Sequence, residues 1–140
     1  MRFYIAASSS EEGIERMRAL RDRLVAAGHE ITYDWTIDLQ TNTASGKPDD
    51  ALDLKERRRY AELDADGIEA ADRVIYLQCE KRTEGGAWEC AWAYAHGAFL
   101  IVVAPNAIPR CLFMARYQNA IVATDDEAYT LAVREDLRRV

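Results

Sequence analysis

Histidine, cysteine and proline are scarce in this chain, and no apolar run is long. Of 140 residues, only 2 are histidine, 3 cysteine and 3 proline. His29 and His96 lie far apart and form no ligand motif. Cys79, Cys90 and Cys111 are odd in number and show no CxxC spacing, which excludes a disulfide framework and a zinc knuckle. The expectation is a reducing, cytoplasmic setting with no metal and no cofactor. No apolar stretch reaches the roughly 18 residues that span a bilayer, so no membrane partner is expected. The start, MRFYIAASSS, lacks a basic segment followed by a hydrophobic one and reads as a first strand, not a signal peptide. Excess positive charge is also missing. The net charge is −6, which argues against a nucleic acid polymer as partner. The local run Lys55, Arg57, Arg58, Arg59 reads as a solvated helix face. A nucleotide monomer stays open, because one pocket can differ in sign from the whole surface.

What is present suits a globular domain spanning residues 1–140. Hydrophobic residues make up 49% and charged residues 30%, enough for a core and a wet surface. Arg2 to Ala7 reads as a buried strand. Ser9 and Glu12 have capping-box spacing, and Ile14, Met17, Leu20, Leu24 and Val25 recur at helical intervals up to Gly28. A second strand is predicted near Glu30 to Trp35. Residues 36–50 are polar and hold Gly46 and Pro48; they read as a long loop, either a binding loop or a tolerated insertion. A helix follows over Ala51 to Ala71, in two pieces with a bend near Leu63 to Gly67. Arg73 to Gln78 is a third strand, Ala87 to His96 a helix ended by Gly97, and Phe99 to Ala104 a fourth strand whose unbroken apolar character suits the centre of a parallel sheet. Ala120 to Ala123 is a short fifth strand and Asp125 to Arg138 a closing helix. This alternation predicts an α/β fold: a flavodoxin-like or Rossmann-like three-layer sandwich with a mainly parallel five-stranded sheet. Ligands in such folds bind beyond the carboxyl ends of the strands, so loops 8–10, 36–50, 79–86 and 105–110 are the expected sources of function.

The segment Thr83-Glu84-Gly85-Gly86-Ala87-Trp88-Glu89 carries the most chemistry. Paired glycines let backbone approach a ligand closely. Glu89 then falls in the first helical turn, where the positive end of the helix favours an ionised carboxylate. Such a carboxylate is what attack on an anomeric carbon requires. Spacing alone leaves a second reading open, an ordinary first-turn glutamate. Asp64 is read either as a site residue or as the N-cap of the short helix before the third strand. Tyr4 is read as core or site, and Trp35 and Trp88 as base-stacking or plain packing. Ser8, Ser9 and Ser10 suit an anion site or ordinary capping. Asp34 is a further candidate for the edge of a base.

The run GGAWECAWAYAHGAFLIVVAP, together with RFYIAAS and LDADGIEAADRVIYL, resembles the nucleoside 2-deoxyribosyltransferase family. The three segments cover most of the sheet in matching order. The resemblance implies that Glu89 is the nucleophile of a covalent glycosyl ester and that Asp64 assists proton movement near the leaving base. It implies that Tyr4 contacts and holds the nucleophile, and that Thr83 faces the sugar 5′ position. Ser8, Ser9, Gly85, Gly86 and Trp35 complete the expected substrate-binding set. The polar 36–50 segment and the bulky Trp88-Glu89-Cys90-Ala91-Trp92 stretch depart from the family's usual pattern.

Two functions follow as expectations. One is cleavage or transfer of the N-glycosidic bond of a (deoxy)nucleoside or nucleoside monophosphate. The other is a non-catalytic protein that binds or senses a nucleotide. A third, a phosphoribohydrolase with a PGGxGTxxE motif, matches Gly85, Gly86 and Glu89 only superficially, because the threonine is missing. Self-association as a homodimer or higher homo-oligomer is expected, through Trp88, Trp92 and Tyr94, unless these pack within the chain.

Overall fold

The computed structural model describes residues 1–38 and 52–137. Its elements run β1 (Arg2–Ala7), α1 (Glu11–Ala26), β2 (Glu30–Ile31), α2 (Leu54–Ala70), β3 (Arg73–Leu77), α3 (Glu84–His96), β4 (Phe99–Val103), α4 (Leu112–Arg116), β5 (Ala120–Val122) and α5 (Asp125–Ala132). The strands form one five-stranded sheet in the order β2-β1-β3-β4-β5. Every pairing is parallel. The fold is therefore the expected flavodoxin-like, Rossmann-like α/β sandwich, with its topological switch between β1 and β3.

Period-two alternation sorts the strand residues into two cores. Tyr4 and Ala6, Val74 and Tyr76, and Leu100 and Val102 face α2 and α3. Phe3 and Ile5, Ile75 and Leu77, and Ile101 and Val103 face α1 and α5, where Met17, Leu20 and Leu24 meet them. Both faces of β3 and β4 are buried, which is why these strands read as continuous apolar runs.

Several boundaries differ from the sequence reading, each for a local reason. β2 is only two residues long, because the chain turns away at Asp34. That carboxylate accepts from the Thr36 N–H at 3.0 Å and its hydroxyl at 2.6 Å, and a helical turn occupies 35–38. The N-cap of α1 is Ser10, not Ser9; its hydroxyl accepts from the Gly13 N–H. α2 is one helix, not two pieces. It opens on a capping box between Asp53 and Glu56 and runs through Gly67. Asp64 therefore sits in a helix interior and caps nothing. α3 begins three residues earlier than expected, with Thr83 at its N-cap, so Gly85 and Gly86 belong to its first turn and Glu89 to its second. Gly97 closes it at φ 89°, a left-handed conformation that favours glycine. Residues 39–50 of the polar segment 36–50 and the predicted end of the closing helix at Arg138 lie outside the described residues; α5 itself ends at Ala132. Lys55, Arg57, Arg58 and Arg59 lie on the exposed face of α2, as read from their charge.

Candidate active site

Two helices and one strand build the site from their middles. On α2, Tyr60, Ala61, Asp64, Ala65 and Ile68 share one face; on α3, Gly85, Trp88, Glu89 and Trp92 do the same. These spacings are one side of an α-helix. Between the two faces and the sheet lies a cavity of about 530 Å³. That is within the ~300–1,000 Å³ range of small-molecule sites. Trp35 and Tyr33 wall it from the segment after β2, and Ala7 and Ser9 from the end of β1.

At its base, Tyr4 stands fully buried between two acids. The phenolic oxygen lies 2.6 Å from Glu89 Oε1 and 2.8 Å from Asp64 Oδ1. The tyrosine is held there by a close approach of helix to ring. A methyl group at Gly67 would sit 3.1 Å from the Tyr4 ring and 2.7 Å from Tyr33 Cβ. Glycine inside a helix costs about 1 kcal/mol relative to alanine; here it makes room for the ring. Gly86 serves α3 in the same way, since a Cβ there would lie 2.5 Å from the Tyr76 ring.

Burial governs the charges. It is the first cause of a raised Glu89 pKa, to about 7, with the neighbouring Asp64 charge second; the Tyr4 hydrogen bond acts the opposite way. Asp64 is raised to about 6, again first by burial, with the Tyr4 bond opposing and Asp38 adding to the rise. The Tyr4 phenol is pushed well up by burial and then by both carboxylates. The sequence reading expected the helix start to hold Glu89 ionised. In the second turn that effect has faded, and desolvation beside a second acid wins.

The expected residues divide. Glu89, Asp64, Ser9, Thr83, Gly85 and Trp35 line the cavity, and Tyr4 bonds the two acids beneath it. Ser8 and Gly86 do not line it: the Ser8 side chain is buried and paired with the Ser10 hydroxyl, and Gly86 packs on Tyr76. Trp35 also donates its indole N–H to the Ile5 carbonyl at 2.8 Å, so one residue both packs and lines. Asp34 is committed to Arg21 at 2.6 Å and to Thr36. Loop 105–110 goes elsewhere, to a second cavity of about 470 Å³ over β3 and β4. There Arg16 grips Asp125 and Arg110 donates to the carbonyls of Cys79 and Glu80. Sequence reasoning missed Tyr33, Asp38 and Tyr60. Tyr33 donates its hydroxyl to Asp38, and both face the cavity. The 60/61/64/65/68 spacing on α2 was the available signal.

The fold and this acid–tyrosine–acid arrangement define a flavodoxin-like α/β domain with a carboxylate-lined cavity beside its switch point. The chain is similar in fold to a solved structure, the CMP N-glycosidase BcmB of Clostridium botulinum. The TM-score is 0.61 and the identity 18%, and the match covers 94% of this chain and 98% of that one. No protein-family model matches the chain, and no curated protein matches it in sequence. Among the described residues, no helix is long and apolar enough to cross a membrane.

Proposed function

We propose that the chain breaks the N-glycosidic bond of a nucleoside or nucleotide through a covalent glycosyl ester on Glu89. The observation that carries this reading is the pair Glu89 and Asp64, joined through one buried hydroxyl at the floor of a cavity of nucleoside size. The fold similarity to a CMP N-glycosidase supports it. In this mechanism a Glu89 carboxylate oxygen attacks C1′. The C1′–N bond breaks, its electron pair goes to the base, and Asp64 protonates the departing nitrogen. Water or a second base then attacks C1′ as Asp64 takes back a proton, and Glu89 leaves as a carboxylate. Trp35, Trp88 and Trp92 offer the base flat apolar walls. Ser9, Thr83 and Gly85 form a rim for the sugar's 5′ side. A homodimer or larger assembly and a cytoplasmic setting, suited to three free thiols, belong to the same proposal.

Base release from a panel of nucleosides and monophosphates, followed by chromatography, is the test. Glu89→Gln should abolish release while the far-UV circular dichroism stays unchanged. Full turnover by that variant would end the nucleophile assignment. Saturable ligand binding without release by the parent protein would favour the nucleotide-binding reading instead.

A further inference from the structure

The Tyr4 hydroxyl makes two short contacts with two acids, yet it has one proton to give. An ionised carboxylate only accepts. With both acids ionised, one of the contacts at 2.6 Å and 2.8 Å would set a phenol lone pair against a carboxylate oxygen. The three groups fit at these distances when one carboxyl is protonated and donates to Tyr4 Oη, while Tyr4 donates to the other. The ring cannot move away, since it is fully buried and pressed against Gly67.

The geometry points to Tyr4 as a proton relay that passes the one proton of the pair from Glu89 to Asp64, so that ionising the nucleophile and arming the acid are a single event. The proton on Glu89 goes to Tyr4 Oη as the phenolic proton goes to Asp64. Glu89 is left as a carboxylate and Asp64 as an acid, with no change in total charge. This inference rests on the glycosidase reading and adds a positioning role to Tyr4 beyond holding the nucleophile. The direction is set by the chemistry, since Glu89 must attack as a carboxylate and Asp64 must donate; burial raises both acids, so the pair retains a proton to pass. The groups facing the trio do not compete for the proton. Burial and Asp38 push the Tyr33 phenol up, burial pushes Tyr76 to about 12, and burial pushes up the Cys90 thiol beside Glu89. Asp38, from the segment after β2, adds negative charge that favours a protonated Asp64. Tyr60 lines the cavity wall from α2.

Two measurements on the full chain test this. Infrared spectroscopy near neutral pH should show one protonated-carboxyl C=O band, lost in Glu89→Gln and also in Asp64→Asn because the proton belongs to the pair. Absence of the band in the parent, or its survival in either variant, overturns the sharing. Kinetics of Tyr4→Phe should show kcat for base release down ~100-fold with little change in KM. The loss should shrink to within about threefold for a nitrophenyl 2-deoxyriboside, whose leaving group needs no proton, at a pH where Glu89 is already ionised. An equal loss on both substrates would make Tyr4 a mere support and overturn the relay. If the infrared signature holds while the parent releases no base from any substrate, the glycosidase reading falls and the proton sharing stands.

Discussion

The two faces of the sheet are built from the same strands and do different work. Toward α1 and α5 the interior is apolar: Phe3, Ile5, Ile75 and Leu77 meet Met17, Leu20, Leu24, Ala128 and Ala132. One charge is buried on this side, Arg73, which donates to the Ala132 carbonyl at the end of α5 and to the Arg134 carbonyl beyond it, while the pairs Arg16–Asp125 and Arg23–Asp126 stay at its edges. Toward α2 and α3 the same alternation brings in Tyr4 and Tyr76, and glycines let the helices approach these rings. That face spends apolar contact on a hydroxyl and two desolvated acids. One face therefore supplies stability, and the other holds groups whose burial opposes it.

Substitutions on each face sharpen this contrast. The largest effect is expected for Glu89→Gln, a loss of at least ~10³-fold in base release, read by steady-state kinetics. The same variant should be more stable than the parent above neutral pH. Glu89 binds its proton more tightly folded than unfolded, so the folded chain holds more protons between about pH 4.5 and 7, and stability falls as pH rises through that window. Removing the acid should recover on the order of 3 kcal/mol at pH 8 and almost nothing at pH 4, read by urea denaturation. On the apolar face, Leu20→Ala should cost about 2–4 kcal/mol of stability and leave turnover per folded molecule unchanged. A large loss of turnover there would show that the faces are coupled.

Gly67→Ala should disturb both properties. Its methyl group would press Tyr33 and Tyr4, costing about 1–3 kcal/mol and lowering kcat by displacing the phenol from the acids. Wild-type kcat/KM should follow a bell-shaped pH profile whose limbs belong to the Asp64–Glu89 pair, since in the proposed mechanism attack needs one acid ionised and departure needs the other protonated. The smallest effect belongs to Arg23→Ala, an exposed pair with Asp126, which should change stability by less than about 0.5 kcal/mol and activity not at all.

The sheet was legible before any coordinates. The runs 2–7, 73–78 and 99–104 are apolar on both faces, and each ends within a residue of its observed strand. The sequence predicts too long a β2, because the cap at Asp34 that ends it depends on side chains meeting in space. The sequence predicts a broken α2, since propensity counts Gly67 as a breaker and cannot see the rings that fill its place. Among the candidate residues, the resemblance brought out Tyr4, Asp64 and Glu89, which spacing alone left ambiguous.

The sequence determined the parallel α/β sandwich, because strand and helix periodicities are local and repeat along the chain. It also restricted the candidate acids to a few positions. The charge state of those acids was decided by tertiary structure alone. Residues 4, 64 and 89 are far apart in the chain, and only packing removes water from the acids and sets one hydroxyl between them. That desolvation, which no stretch of sequence contains, raises the pKa values of both acids where the helix start alone would have lowered that of Glu89.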